Sequence, residues 1–154
     1  MAQLDHTIGV ECTKQGLSPE WVWALISVES SQIQWVMRYE PGYSYFVTPE
    51  FFAKKLGQSL DTELNGQKTS WGLLQVMGGT AREMGFSGYF PELCLPSVGI
   101  HYGCRYLAQK LRKYGNYLDA VAAYNAGTVK RLPNGDYQNQ AYVDKVAAKR
   151  ASLG

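Results

Sequence analysis

The chain has 154 residues, of which 45% are hydrophobic and 18% are charged. This is the composition of an ordinary globular protein, not of a disordered one. The length suffices for one domain with its own hydrophobic core, and we expect a single domain over residues 1–154. A net charge of +2 is too small to predict nucleic-acid binding. The short basic pairs along the chain are typical of solvated helix faces, with at most a weak preference for an anionic polymer.

The first residues, MAQLDHTIGVECTK, lack the basic region and apolar run of a secretory signal. No apolar stretch approaches the roughly 20 residues that a membrane helix needs, so stable membrane insertion is not expected. We therefore expect the protein to be made in the cytoplasm and delivered by another route.

The stretch LSPEW predicts the start of a helix, because Ser18 suits the N-cap and Pro19 the first helical position. We expect this helix to end near Ser30. Helical spacing places Val22, Leu25, Ile26 and Glu29 on one face. A carboxylate, Glu29, thus follows three apolar residues on the predicted buried face.

Residues 31–71 break the helical pattern and are rich in aromatic and turn residues. We predict an irregular insert there, with a short helix at about Pro49–Leu56 and room for a small hairpin. A short helix is predicted with Thr80 as its N-cap and its end near Gly85. A long helix is predicted within residues 95–116 and should stop at Gly115, and the next, at about Tyr117–Ala126, should stop at Gly127. The last is predicted at about Gln138–Ser152. The apolar face of the helix from Tyr117 is expected to hold Leu118, Val121, Ala122 and Asn125.

The three cysteines are Cys12, Cys94 and Cys104. An odd count leaves at least one of them unpaired in a monomer, and Cys94 could pair with Cys104. A zinc site built from Cys94, His101 and Cys104 lacks a fourth ligand and the usual short spacings. We expect buried free thiols and no metal site.

Glu29 is the residue of the first predicted helix that could carry chemistry. A carboxyl group among apolar neighbours is desolvated, which favours its neutral, proton-donating form. Taken alone, a glutamate that caps a helix end at the surface is the commoner explanation. Other motifs in the chain are needed to decide between the two.

Four short motifs follow one another: ES at 29–30, GLLQV at 72–76 with Met77 after it, AYNAG at 123–127 and YVDKV at 142–146. In this order they resemble the catalytic domain of the soluble lytic transglycosylases, relatives of goose-type lysozyme, over roughly residues 18–150. The resemblance implies a mainly α, lysozyme-like domain with a substrate groove. It also implies a peptidoglycan lytic transglycosylase that needs no cofactor.

The resemblance further implies that Glu29 is the single catalytic acid and base. The residues implied to surround the acid or line the groove are Ser30, Gln75, Met77, Tyr124, Asn125 and Tyr142. Each has an ordinary structural explanation as well: Gln75 as a turn residue bonded to its own backbone, for example, or Met77 as core filler. Gly72 is expected to allow a tight turn or a close approach of the backbone.

The chain departs from the compact bacterial members of that family, in which the interval between the first two motifs is short. Here residues 31–71 intervene and KTSWG leads into the second motif, as in phage-associated members. The aromatic residues of this region are Tyr39, Tyr43, Tyr45, Phe46, Phe51, Phe52 and Trp71. They could roof the groove over sugar rings or pack the insert onto the domain.

The number of acids at the site decides the expected reaction. Hydrolytic glycosidases usually use two carboxylates, whereas the resemblance implies one acid and closure of a 1,6-anhydro ring on N-acetylmuramic acid. Asp61 and Glu63 precede the second motif, about where goose-type lysozymes can carry a water-positioning acid. Hydrolysis is therefore one alternative, and a non-catalytic wall-binding or tail module is another. The expected partners are peptidoglycan glycan strands and, for delivery, phage tail or baseplate proteins or a secretion channel.

Overall fold

Helices dominate the fold, which is described for residues 2–154 by a computed structural model. The helices of this part of the chain are α1 Ala2–Gln15, α2 Pro19–Ser30, α3 Pro49–Leu56, α4 Leu60–Gln67, α5 Gly78–Glu83, α6 Pro96–Tyr114, α7 Tyr117–Ala126 and α8 Gln140–Leu153, with a 3₁₀ helix at Phe90–Cys94. The strands are β1 Met37–Tyr39, β2 Thr69–Trp71 and β3 Val76–Met77. The prediction of a mainly α fold is confirmed. Within residues 2–154, none of the helices combines the length and the apolar character needed to cross a bilayer.

The chain forms two compact units. The first contains the chain up to Val28 together with Cys104–Gly154, and the second is Glu29–Gly103. Two helices, α2 and α6, therefore begin in one unit and end in the other.

The core of the first unit lies among α1, α2, α6, α7 and α8. Its fully buried side chains include Ile8, Val22, Leu25, Ile26, Val121 and Val146. At the start of α2 the Tyr117 ring stacks on Trp21 with 5.0 Å between centroids. The Tyr117 hydroxyl also accepts a hydrogen bond from the Ser18 backbone N–H at 2.6 Å. These contacts fix the helix whose last turn carries Glu29.

Several helix bounds follow the sequence closely. The helices α2, α3 and α7 have the predicted bounds, and α6 ends at Tyr114 before Gly115, whose φ of 81° is left-handed. The start of α7 is capped by Asn116, whose side chain accepts a hydrogen bond from the Asp119 N–H at 2.9 Å.

Two helix starts differ from the prediction. The helix α5 begins at Gly78, and Thr80 lies inside it, because the Thr80 side chain hydrogen-bonds Tyr43 and does not cap the helix. The helix α8 begins at Gln140, and the Gln138 N–H donates to the Lys130 carbonyl as part of the preceding loop.

The predicted apolar face of α7 is wrong at both of its ends, because Leu118 is 43% exposed and Asn125 is exposed as well. This helix instead buries nearly its whole circumference through consecutive residues 120–124, so a single stripe does not describe it.

The sequence does not predict α1 or α4 at all. Both helices contain weak helix formers, Gly9 within α1 and Asn65 and Gly66 near the end of α4.

The second unit contains the small sheet. Its strands are antiparallel in the order β1–β2–β3, with Met37 opposite Trp71 and Ser70 opposite Met77. The sequence allowed a small hairpin within residues 31–71, but that region contributes only β1 and β2, which are separated by α3 and α4. The tight hairpin is β2–β3, and its second strand lies beyond the insert. The turn between β2 and β3 carries the first residues of the GLLQV motif.

A fully buried ion pair lies beside this sheet. The Arg82 guanidinium donates from Nε to Glu63 Oε1 at 2.8 Å and from Nη2 to Oε2 at 2.9 Å, and neither side chain is exposed. The same carboxylate accepts hydrogen bonds from Gln67 at 3.0 Å and from Gln58 at 2.6 Å. A buried charge pair is tolerated only when its remaining hydrogen-bonding groups are satisfied, and here they are.

The pair also reaches three other segments of the unit. Arg82 Nη1 donates to the backbone carbonyls of Phe86 and Gly88 at 3.1 and 2.8 Å. The guanidinium packs on the rings of Phe52 and Phe90, at 4.3 and 4.2 Å from their centroids. Since Phe52 is in α3, this one side chain joins α3, α4, α5 and the 3₁₀ helix.

The cysteines are free and buried, as predicted. Cys12 and Cys104 share a hydrogen bond between their side chains. This bond lowers the pKa of the Cys12 thiol and raises the pKa of the Cys104 thiol. Among residues 2–154, no group of three or more His, Cys, Asp or Glu side chains could hold a metal ion.

The Arg82→Met substitution tests how much the ion pair contributes to the free energy of unfolding. It leaves the Glu63 carboxylate buried without its counter-charge, so we expect the free energy of unfolding to fall by about 3–5 kcal/mol. Urea unfolding followed by circular dichroism measures this. The matched control is Lys14→Met, since Lys14 pairs with Glu11 while its own side chain is 60% exposed, and about 1 kcal/mol or less is expected there. Equal losses in the two variants would contradict the organising role of Arg82.

Candidate active site

Glu29 is in the last turn of α2, one residue before the helix ends. Its side chain is half-buried, and the next residue, Ser30, is 4% exposed. The apolar residues Val22, Leu25 and Ile26 on the same helix face are fully buried. The sequence pattern thus delivers the carboxyl to the edge of a buried surface.

The chain turns sharply directly after Glu29 and Ser30. Ser31 and Gln32 have φ angles of 51° and 66°, in the left-handed region that non-glycine residues rarely adopt. Such a conformation costs on the order of 1–3 kcal/mol per residue and persists only where the surroundings impose it. Two in succession mark this turn as a candidate functional segment.

Gln75 ties that segment to the hairpin turn. Its Nε2 donates to the Val36 carbonyl at 2.9 Å and to the Gly72 carbonyl at 2.8 Å, while its Oε1 accepts from the Ser70 hydroxyl at 2.9 Å. The Gly72 N–H donates to the same Val36 carbonyl at 2.8 Å. Gln75 itself has a φ of 48°. These bonds correspond to the turn role that the sequence offered as the ordinary explanation of this residue.

Gly72 has the backbone role predicted for it. Its φ is 72°, and a Cβ atom there would come within 2.5 Å of the Leu93 carbonyl oxygen. Only glycine fits this turn without displacing the neighbouring backbone. Met77 is half-buried in β3, so the second motif presents one partly accessible apolar side chain.

The two possible second acids differ in their surroundings. Asp61 is exposed in the first turn of α4. Glu63 is fully buried, with both carboxylate oxygens bonded to Arg82.

The remaining site residues are in the first unit. Tyr124 is buried in α7, and its ring centroid is 5.1 Å from that of Tyr106. Asn125 is exposed near the end of α7, and Tyr142 is half-buried in the first turn of α8. The side chain of Asn139 donates to Asn125 Oδ1 at 2.8 Å, and its carbonyl accepts from the Tyr142 N–H at 3.0 Å.

Asn139 therefore joins the AYNAG and YVDKV motifs, a role that the sequence pattern does not predict. The one signal in the sequence was its position directly before α8, where asparagine is a common N-cap. The structure gives it a different task, because its side chain makes no capping bond to α8.

The aromatic residues of the insert divide into two sets. Phe52 and Trp71 are buried, and Tyr43 is half-buried with a raised pKa caused by that burial. The exposed residues are Tyr39, Tyr45, Phe46 and Phe51, at 50%, 79%, 40% and 59%. The buried rings pack the insert onto the domain. The exposed rings are accessible for the predicted contact with sugars.

The Gln75→Glu substitution tests the turn role. It preserves size but replaces the Nε2 donor by an oxygen facing the carbonyls of Val36 and Gly72, so we expect a loss of about 1–3 kcal/mol in the free energy of unfolding. Thermal or urea unfolding measures this, with Gln138→Glu at an exposed side chain as the matched control. Unfolding of Gln75→Glu equal to that of Gln138→Glu would contradict the turn role.

Comparison with known proteins supports the family indicated by the motifs. A family model described as the transglycosylase SLT domain matches residues 6–145. The protein IpgF of Shigella sonnei is 26% identical over 104 residues, which cover 66% of this chain and 60% of that protein. IpgF of Shigella flexneri is 33% identical over 66 residues, or 42% and 43% of the two chains. The chain thus spans about half the length of these relatives.

Among solved structures, the chain is similar to an inactive Glu→Gln mutant of the lytic transglycosylase Slt from Pseudomonas aeruginosa. The TM-score is 0.57 at 23% identity, and the match covers 95% of this chain but 21% of Slt. This likeness confirms the predicted lysozyme-like fold. With a family model that matches nearly the whole sequence, the chain belongs to the transglycosylase SLT domain family.

Proposed function

We propose that this domain is a peptidoglycan lytic transglycosylase that cleaves the β-1,4 bond between N-acetylmuramic acid and N-acetylglucosamine. The observation that carries the proposal is the place of Glu29. It is a half-buried carboxyl in the last turn of an apolar helix, and only Ser30 separates it from the strained residues Ser31 and Gln32. Strain of this kind concentrates at functional sites.

In the proposed reaction Glu29 acts twice. Its carboxylic acid gives a proton to the glycosidic oxygen as the bond from that oxygen to C1 of the muramic acid breaks. The resulting carboxylate then takes the proton of the C6 hydroxyl, whose oxygen bonds to C1 and closes the 1,6-anhydro ring. The nucleophile is the C6 hydroxyl of the substrate itself, which is already close to C1, so no positioned water is needed.

The state of the other acids supports a mechanism with one carboxyl group. Glu63 is fully buried, and Arg82 bonds both of its oxygens, so we assign it to the fold and not to a water. Asp61 is exposed on α4 and shares neither the apolar setting nor the strained neighbours of Glu29. Hydrolysis by a pair of acids therefore has weaker support.

The remaining motif residues receive supporting roles in this proposal. Ser30 holds the surroundings of the acid, Met77 offers an apolar contact to a sugar, and Tyr124, Asn125 and Tyr142 contribute to the substrate groove. The Pseudomonas enzyme Slt supports a glutamate-dependent reaction, since its Glu→Gln mutant is inactive. No cofactor takes part in the proposed chemistry.

Delivery to the cell wall is also part of the proposal. The long insert of residues 31–71 resembles that of phage-associated members and favours a phage particle or lysis system as the carrier. A secretion channel is the alternative carrier. In both cases the protein acts in the wall or periplasm on glycan strands.

The Glu29→Gln substitution tests the assignment of the acid. The amide keeps the size of the side chain but has no proton to give, so we expect the rate of glycan release from purified peptidoglycan to fall by about 10²–10⁴. Release of soluble muropeptides, followed by chromatography, measures the rate.

Two matched variants accompany this measurement. Glu83→Gln makes the same change at an exposed glutamate, and Asp61→Asn removes the exposed acid of α4. We expect both to retain wild-type rates. Equal clearing by wild type and Glu29→Gln would favour a non-catalytic wall-binding module, and a large loss in Asp61→Asn would favour two-acid hydrolysis.

A further inference from the structure

A chain of amide hydrogen bonds runs from α7 to the start of α8 in the first unit. The Nδ2 atom of Asn139 donates to the backbone carbonyl of Ala122 at 3.1 Å and to Asn125 Oδ1 at 2.8 Å. Asn139 is half-buried and Asn125 is exposed. Neither bond is within a helix, so both are tertiary contacts that the loop between α7 and α8 must maintain.

The donor and acceptor atoms in this series of hydrogen bonds are determined by the backbone carbonyl of Ala122. A backbone carbonyl can only accept a hydrogen bond, so the atom of Asn139 facing Ala122 must be its nitrogen. That nitrogen carries two protons, and the second is directed to Asn125, which must therefore present its oxygen to Asn139. The Nδ2 group of Asn125 is consequently turned away from Asn139, on an exposed side chain.

The loop that carries Asn139 is held in place by its own contacts. The Tyr137 hydroxyl donates to the Asp119 carboxylate, and Arg131 Nη2 donates to the same group at 3.0 Å. The guanidinium of Arg131 stacks on the Tyr137 ring at 4.2 Å, and the Tyr137 N–H donates to Gln140 Oε1 at 3.0 Å. The bond from the Tyr137 hydroxyl is the largest cause that lowers the pKa of Asp119.

We infer that Asn139 is a positioning residue that fixes the Asn125 amide with its nitrogen outward, so that Asn125 offers substrate two N–H donors and binds an acceptor oxygen. The inference rests on the proposed function, in which Asn125 belongs to the substrate groove. Among the groups of a peptidoglycan sugar, the acetamido carbonyl oxygen is a pure acceptor and suits this donor. Hydroxyl groups, which both donate and accept, would not require the fixed orientation.

Binding of a soluble N-acetylglucosamine oligomer to the full chain, measured by calorimetry, tests the inference without turnover. Asn125→Asp keeps the oxygen that accepts from Asn139 but removes the outward donor, and we expect the Kd to rise about tenfold or more. Asn139→Asp places an oxygen against Ala122 and Asn125, which forces the Asn125 amide to rotate, and we expect a similar rise.

The matched control is Asn134→Ala, which removes an asparagine of the same loop that bonds Asp136 at 3.1 Å and should leave the Kd unchanged. A deacetylated oligomer should bind wild type weakly and should not discriminate between wild type and Asn139→Asp. A Kd for Asn139→Asp equal to that of Asn134→Ala overturns the inference, as does an absence of binding by wild type.

A second readout separates positioning from a merely structural role. On glycan fragments, Asn139→Asp should raise KM with kcat within about twofold of wild type. A fall in kcat and in melting temperature at unchanged KM overturns the inference. Wild type that binds the oligomer but releases no product contradicts the proposed function alone, so the two failures are distinguishable.

Discussion

The buried pair of Glu63 and Arg82 is the constraint on which the second unit depends. One guanidinium satisfies both carboxylate oxygens and two backbone carbonyls, and it fills the space between the rings of Phe52 and Phe90. No apolar side chain could make these bonds, and removing either partner would leave a charge buried without compensation. The helices α3, α4 and α5 and the 3₁₀ helix are thereby fixed around the small sheet whose turn carries the GLLQV motif.

Hydrogen bonds also connect the turn of this sheet to the segment that follows the helix of Glu29. The Val36 carbonyl accepts hydrogen bonds from both Gln75 and Gly72, and Val36 lies in the segment that follows α2. Ser31 and Gln32 in this segment are held in left-handed conformations that an unconstrained chain would leave. We therefore regard the second motif as a support for the first. Its glutamine and glycine both bond the Val36 carbonyl, in the segment that follows the first motif.

The sequence predicted those parts of the fold that local chemistry decides. Proline after Ser18 correctly predicted the start of α2, and glycine after Tyr114 correctly predicted the end of α6. Gly72 was correctly assigned to a tight turn with a close approach of the backbone. It did not predict the task of Glu63 or Asn139, because each depends on a partner distant in the chain, Arg82 and Asn125, and neither has a local pattern. The same limit explains why α4 was missed, since its weak helix formers are compensated by tertiary packing.

The masses of the products released from purified peptidoglycan test the central claim most directly. If Glu29 is the only acid and the C6 hydroxyl of the substrate is the nucleophile, the muropeptides will end in 1,6-anhydromuramic acid. Each will then be one water lighter than the corresponding lysozyme product. Products with reducing muramic acid ends would contradict the account, because a water, and with it a second activating group, would then have to take part.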